Sequence, residues 1–359
     1  MIKGEDMELK PDYAVIPGKT VRDSLEVLRM SQTELARRMS RPLKTINEII
    51  KGKAAITADT AIQLEKVLGP SATFWNNLER QYRETIARIK SDEELRGQEQ
   101  YARRYPYKEL AKDGFVEDTN DVVERIRQLQ RFFGVGNLGA IRSVAPGAFR
   151  RSPTMSASPE ALASWLRIGE LKASRMHLGS YEPGKFKTAL GIIRGCTTQV
   201  PAEFQPRMES LCAASGVAVV IHHQLSKTYA HGATKWLGPE RALVQLSIRY
   251  GYADIFWFSF FHEAAHILLH SKRLDFIEGT MKKDEKEREA DRYAAECLIP
   301  SREYRAYLLG LDFSDQAIHN FATKLGIDPG IIVGRLQHDG HIKYSELNYM
   351  RTKFVWAKA

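Results

Sequence analysis

The 359-residue chain carries 53 Lys and Arg against 44 Asp and Glu, a formal net charge of +9. That length predicts two to three domains with a real core, and the modest charge excludes a basic tail or a low-complexity polyelectrolyte. Cys196, Cys212 and Cys297, in no paired spacing, argue against a disulfide framework and for a reducing cytoplasm, while Met1 to Asp6 does not read as a signal peptide and no apolar run approaches membrane-spanning length.

The first predicted element is an amphipathic helix from Pro17 to Met30, with Val21, Leu25 and Leu28 on its apolar face. Ser31-Gln32-Thr33-Glu34 then forms a capping box, which starts a helix over Thr33 to Met39 with Leu35, Ala36 and Met39 inward. After a turn at Ser40-Arg41, Pro42 suits a first helical position, and the next helix, Leu43 to Ile50, places Leu43, Ile46, Ile49 and Ile50 on one face. Two short helices around a tight turn, the second with polar groups at its start, is helix-turn-helix geometry. Residues 17 to 53 hold nine Lys or Arg against four acids, the electrostatic footprint that a polyphosphate partner requires. Gln32, Arg41, Lys44, Thr45 and Asn47 are the candidates for reaching base edges; Lys51 and Lys53 suit phosphates. Phe74, Trp75, Leu78 and Tyr82 form an apolar stripe that either pairs two subunits or packs on its own core.

The middle of the chain is helical and shows no chemistry. Lys90 to Pro106 reads as charged and mostly solvated, Asn120 to Phe133 and Glu160 to Met176 as helices, and Ser143 to Pro159 as a Pro- and Gly-containing loop. From Gly216 the pattern changes to strands at Val217 to Ile221, near Tyr229 to Ala233, and at Ala242 to Ile248. Such a small sheet offers an edge on which an extended peptide can lie.

The most informative stretch follows: His262-Glu263-Ala264-Ala265-His266, an H-E-x-x-H run inside apolar sequence. On a helix, residues four apart share a face, so both imidazoles can address one ion while Glu263 takes a proton from water beside it. A second helical pattern begins at Glu287, 21 residues past His266. Two His, one Glu and an open fourth position form a catalytic zinc set, with Asp291 one turn on to orient a ligating His. Glu289 is the rival ligand, but it lies about 200° around the helix from Glu287, so only one of the two faces the ion. His270 continues the series; its Cα is about 12 Å along the axis from that of His262, too far to share an ion, so it reads as a supporting histidine. His222, His223, His231, His319, His338 and His341 have no ligand spacing with this site, and His231, Arg249 and Tyr293 are the guesses for an oxyanion-stabilising group. Ser314 to Leu325 and Pro329 to Gln337 form a further helix pair, read as a lid with Ile, Val and Gly outward on its second helix.

His262 to His266, Glu287 to Asp291 and the closing Ala294-Ala295-Glu296-Cys297-Leu298-Ile299-Pro300 run resemble the ImmA/IrrE metallopeptidases over roughly residues 200 to 340. The chain departs from that pattern at Asp291 for Asn, Tyr293 for Phe and Ile299 for Met; the Asp gives a spacing like that of thermolysin-type zinc peptidases. The resemblance implies one Zn2+ held by His262, His266 and Glu287, Glu263 as general base, and cleavage of a DNA-binding repressor on a stress signal. Residues 13 to about 90 resemble the HigA-type (XRE-like) helix-turn-helix antitoxins, through Pro17-Gly18, Met30 to Ala36, Arg41-Pro42, Lys44-Thr45-Ile46 and Ile49 to Lys53. That resemblance implies a homodimer on operator DNA and a small HigB-like RNase toxin as partner. The expected fold is α+β and mostly α: a helix-turn-helix domain over residues 1–95, a helical connecting region over 96–199, and a zincin-like domain with a small sheet over 200–359. A cytoplasmic, stress-responsive regulator carrying its own zinc endopeptidase is the leading expectation. The alternative is an antitoxin whose metal site is sensory or structural.

Overall fold

The computed structural model describes residues 14–145, 157–270, 276–277 and 285–356. The chain divides into two compact units, Met1–Glu99 and Gln100–Ala359.

Among its described residues the first unit is all helical: α1 (Pro17–Val27), α2 (Gln32–Arg38), α3 (Leu43–Ile50), α4 (Ala58–Leu68) and α5 (Ala72–Arg96). Local chemistry sets the boundaries. The hydroxyls of Ser31, Thr57 and Ser71 accept the backbone N–H groups of Glu34, Thr60 and Phe74, satisfying donors that each helix start leaves open. Val21, Leu25, Leu35, Ile46, Ile49, Ala61, Leu64 and Trp75 make the core. Gly18 lets α1 lie against the end of α3, since a Cβ there would fall 2.4 Å from the Ile49 carbonyl oxygen.

Four details differ from expectation. The first helix stops at Val27, because Arg29 adopts φ +51° and turns the chain toward α2, and Leu28 is left exposed. Leu43, at the exposed start of α3, is likewise outside the core. The stripe on α5 is divided: Trp75 and Tyr82 are buried and Leu78 packs on the core, while Phe74 remains exposed. The segment read as solvated is α5 itself up to Arg96 and then a helical turn, with Leu95, Ala102 and Tyr105 buried.

In the second unit the helices α6 (Tyr107–Lys112), α7 (Val122–Phe133), α8 (Pro159–Ala173), α9 (Pro183–Arg194) and α10 (Pro201–Ala214) precede the strands β1 (Val217–Ile221), β2 (Gly232–Gly238) and β3 (Arg241–Leu246). Residues 146–156 of the expected Ser143–Pro159 loop lie outside the described residues. The sheet has the order β1-β3-β2-β4, with β1 parallel to β3, β2 antiparallel to β3, and a two-residue β4 (Phe276–Ile277) on β2 at Ala233 and Thr234. The second strand starts at Gly232 rather than near Tyr229 and runs on to Gly238, past the expected end at Ala233, and β4 occupies part of its edge. Because β1 is covered on both faces, its apolar run does not alternate: Val217 and Val219 enter the main core, while Ala218 and Val220 meet Ala173 and Leu243 on the other side.

Against the sheet lies α11 (Ala253–Leu269), with Trp257, Phe260 and Phe261 in the same core as Val244 and Leu246. It is followed by α12 (Glu285–Leu298), α13 (Ser301–Leu308), α14 (Asp315–Leu325) and α15 (Pro329–His338). The last helix is not a lid with apolar residues outward: Ile331, Ile332, Val333 and Leu336 are buried in the main core. Two partly buried arginines position the elements that carry the site. Arg351 grips Asp254, in the first turn of α11, with bonds of 2.8 and 3.1 Å. Arg194 donates to the carbonyls of Cys297 and Leu298 at the end of α12 and to that of Leu325 at the end of α14, satisfying acceptors that helix ends leave open.

Candidate metal centre and nucleic-acid interface

The H-E-x-x-H residues sit in the middle of α11, so the helical repeat stacks His262 and His266 on one face toward α12. Their Nε2 atoms approach to 3.0 Å. Glu287, in the first turn of α12, places its carboxylate oxygens 3.3 Å from His262 Nε2 and 3.6 Å from His266 Nε2. Both histidines are buried, and burial, followed by the neighbouring His262 and His270 rings, pulls the pKa of His266 down to about 2.

The outward ring nitrogens decide which tautomers are present. His262 Nδ1 donates to Asp291 Oδ1 at 3.0 Å. On the other side, His270 Nε2 donates to Glu289 Oε2 at 3.1 Å, which leaves His270 Nδ1 to accept from His266 Nδ1 at 2.8 Å. With both Nδ1 atoms protonated, each neutral ring carries its lone pair on Nε2. Two lone pairs facing each other at 3.0 Å beside a carboxylate repel unless a cation lies between them. The donor separations of 3.0, 3.3 and 3.6 Å also bracket the edge of roughly 3.3 Å expected for a tetrahedron with bonds of about 2.0–2.1 Å. The residues present fit a zinc-like ion. Glu289, the rival on α12, is directed to His270.

Glu263 faces the sheet. Its Oε2 accepts a 2.6 Å hydrogen bond from the Thr234 hydroxyl on β2, and the carboxylate lies under Gly232, where a Cβ would come within 2.7 Å of Glu263 Cγ. Glycine at 232 is thus a spatial requirement of the glutamate. A cavity of about 1130 Å³ opens beside the centre, with His262, Glu287, Asp291, Tyr293 and His231 on its wall. Of the groups considered for oxyanion stabilisation, His231 and Tyr293 reach this wall, whereas Arg249 donates to the Tyr229 carbonyl at 2.7 Å. Burial, followed by the Arg249 charge, pulls the His231 pKa down to about 4, so the ring is neutral near pH 7.

A second cluster escaped the sequence reading. Asp113 follows α6 and His222 and His223 follow β1; one ligand atom from each lies within 4.8 Å of the others. The pair of adjacent histidines was visible, but nothing periodic links them to Asp113.

In the first unit, Lys44 and the flanking Pro42 and Leu43 are exposed at the start of α3, with Thr45 and Asn47 partly exposed behind them. Gln32 is partly exposed at the start of α2, and Lys51 and Lys53 are exposed just past α3. Arg41 differs from the others, since its Nε donates to the Gln63 side chain on α4.

Fold and site together define a helix-turn-helix protein with an H-E-x-x-H centre. The helix-turn-helix family matches residues 26–75, and the peptidase M78 family, described as an IrrE N-terminal-like domain, matches residues 255–337. The chain belongs to the helix-turn-helix regulators and carries an IrrE-like peptidase domain. It is 40% identical over 63 residues to the helix-turn-helix-type transcriptional regulator YddM of Escherichia coli K12, covering 18% of this chain and 67% of the relative. Virulence-associated protein I of Dichelobacter nodosus is 34% identical over 70 residues, covering 19% of this chain and 65% of that one. Among solved structures, an addiction module antidote protein of the HigA family from Coxiella burnetii is 33% identical, with a TM-score of 0.22, over 23% of this chain and 92% of that one. The Pseudomonas aeruginosa antitoxin HigA with its higBA promoter is 31% identical, with a TM-score of 0.22, over 23% and 91%. Among the described residues, no helix is long and apolar enough to cross a membrane.

Proposed function

We propose that this chain is a cytoplasmic, dimeric operator-binding repressor whose C-terminal part is a zinc-dependent endopeptidase, acting on a stress signal upon this protein or a partner regulator. The supporting observation is the convergence of His262 Nε2, His266 Nε2 and Glu287, in tautomers that leave both lone pairs directed at one point. The proposed division of labour assigns DNA to residues 1–95, connection to 96–199 and proteolysis to 200–359.

His262, His266 and Glu287 would hold the ion, and Asp291 fixes the ring of His262. The ion, when bound, supplies Lewis acidity and makes a water nucleophilic near neutral pH. Glu263 is the group that would take a proton from the attacking water and return it to the leaving amine, with Thr234 holding one of its oxygens in place. The cavity beside His262 accommodates several residues of an extended peptide. On the DNA side, Gln32, Arg41, Lys44, Thr45 and Asn47 address base edges and Lys51 and Lys53 the phosphates.

The test is intact-mass analysis of wild type and Glu263→Gln recovered from cells before and after DNA damage. Fragments in stressed wild type alone support self-processing. If no fragment of this chain or of a co-regulated repressor depends on Glu263, the proteolytic reading fails. Co-purification of a small basic toxin with both forms would then favour the antitoxin reading, with the metal site sensory or structural.

A further inference from the structure

We propose that Asp113, His222 and His223 form a second divalent-metal site of the zinc class, which ties the turn after α6 to the end of β1. The site is distinct from the His262 centre in every ligand and in its elements. Asp113 Oδ2 lies 3.4 Å from His222 Nε2 and 3.1 Å from His223 Nε2. These separations match the edge of roughly 3.3 Å that a tetrahedral ion with bonds of about 2.0–2.1 Å imposes on its donors. One carboxylate and two imidazoles suit zinc and its borderline neighbours, not calcium or magnesium, which prefer oxygen alone.

The second observation is polar burial without compensation. His222 is 6% exposed, and its Nε2, like Asp113 Oδ2, is buried without a hydrogen-bond partner. The two atoms are close enough to attract but are not aligned as donor and acceptor. Leaving both unsatisfied costs folding free energy, and a shared cation satisfies both at once. The surroundings hold the rings in place: Phe115 packs edge-on against His222, Trp356 against His223, and the His222 backbone N–H donates to the Leu246 carbonyl. His223 is the ligand nearest solvent and marks the entry side.

Lys172 tunes the site. Its Nζ lies 3.3 Å from His222 Nδ1 and donates to it when the ring accepts there. A metal on Nε2 leaves the ring proton on Nδ1, so ammonium and ring would both present hydrogens. Metal loading therefore requires Lys172 to move away, and the lysine weakens the site while leaving it available. The ion would act as a clip between α6 and the sheet, occupied when metal is plentiful.

The full-length chain is equilibrated by dialysis against excess free zinc and its bound metal is quantified at equilibrium by mass spectrometry, as wild type, Asp113→Asn/His223→Ala and His262→Gln/His266→Gln. About two ions per chain are expected in wild type, and about one in each double variant. Equal zinc in wild type and Asp113→Asn/His223→Ala, both folded by circular dichroism, overturns the proposal. A wild-type chain with a single ion, lost from Asp113→Asn/His223→Ala but not from His262→Gln/His266→Gln, sustains this site and removes the catalytic one. Lys172→Gln, whose amide oxygen can accept from Nδ1–H, is expected to tighten zinc at this site by about tenfold against a chelator. Unchanged or weaker binding in that variant overturns the role given to Lys172.

Discussion

Thr234 on β2 and Glu263 on α11 are joined by a 2.6 Å hydrogen bond between two buried side chains, so the sheet holds the H-E-x-x-H glutamate directly. A carboxylate this deep depends on each donor it has. Thr234→Val keeps the shape and removes the donor. It is expected to cost about 1.5–3 kcal/mol, the range for a hydrogen bond to a charged group, whereas Thr234→Ser stays close to wild type. Urea unfolding followed by tryptophan fluorescence reads the difference. Equal stability of the Val and wild-type chains would show that the bond holds nothing.

His231 gives the second unit an acid-sensitive element. Its folded pKa is drawn down to about 4 by burial, and then by Arg249, from an ordinary value of 6.5. The unfolded chain thus binds a proton that the folded chain refuses, as pH falls through the window from 6.5 to about 4. The stabilising contribution is complete above 6.5 and is lost on acidification across that window. His222, drawn down to about 3, adds in the same direction, so the wild-type slope is a sum. The melting temperature of His231→Gln should fall less steeply than that of wild type between about pH 7 and about pH 4. Parallel slopes would mean that His231 is readily protonated in the folded chain.

What was legible in the sequence follows the range of the interaction. The α2 cap at Ser31 is set by residues within one turn, and the placement of His262 and His266 on one face needs only the helical repeat. The pairing of Asp113 with His222 and His223 was hidden because it arises where α6 comes to rest against the end of β1, a tertiary event with no period in sequence. The face of α15 was misread for a related reason: its Ile and Val residues look unpartnered until α11 and the sheet supply a core for them. Leu28 was assigned inward by periodicity, but the left-handed turn at Arg29 ended the helix first. The division on α5 between buried Trp75 and exposed Phe74 follows from which side α4 packs, and a stripe alone does not carry that information.

In the first unit, position on the helix separates the two kinds of DNA contact proposed above. Lys44 stands exposed at the start of α3 with Asn47 one turn on, while Lys51 and Lys53 lie beyond its end. Base-edge contacts lose discrimination when removed, and phosphate contacts lose affinity for every sequence alike. Lys44→Ala and Asn47→Ala are each expected to cost about 1–3 kcal/mol on the operator and little on scrambled duplex. Lys51→Ala/Lys53→Ala should weaken both duplexes together and reduce the slope of log affinity against log salt by about two, near one for each phosphate lost. Arg41→Ala should in addition lower thermal stability, because this arginine also holds Gln63 on α4. Fluorescence anisotropy on the two duplexes across a salt series measures all four variants. A Lys51/Lys53 variant that lost operator binding while keeping scrambled binding would reverse the assignment, placing the loop after α3, rather than its first turn, in the groove.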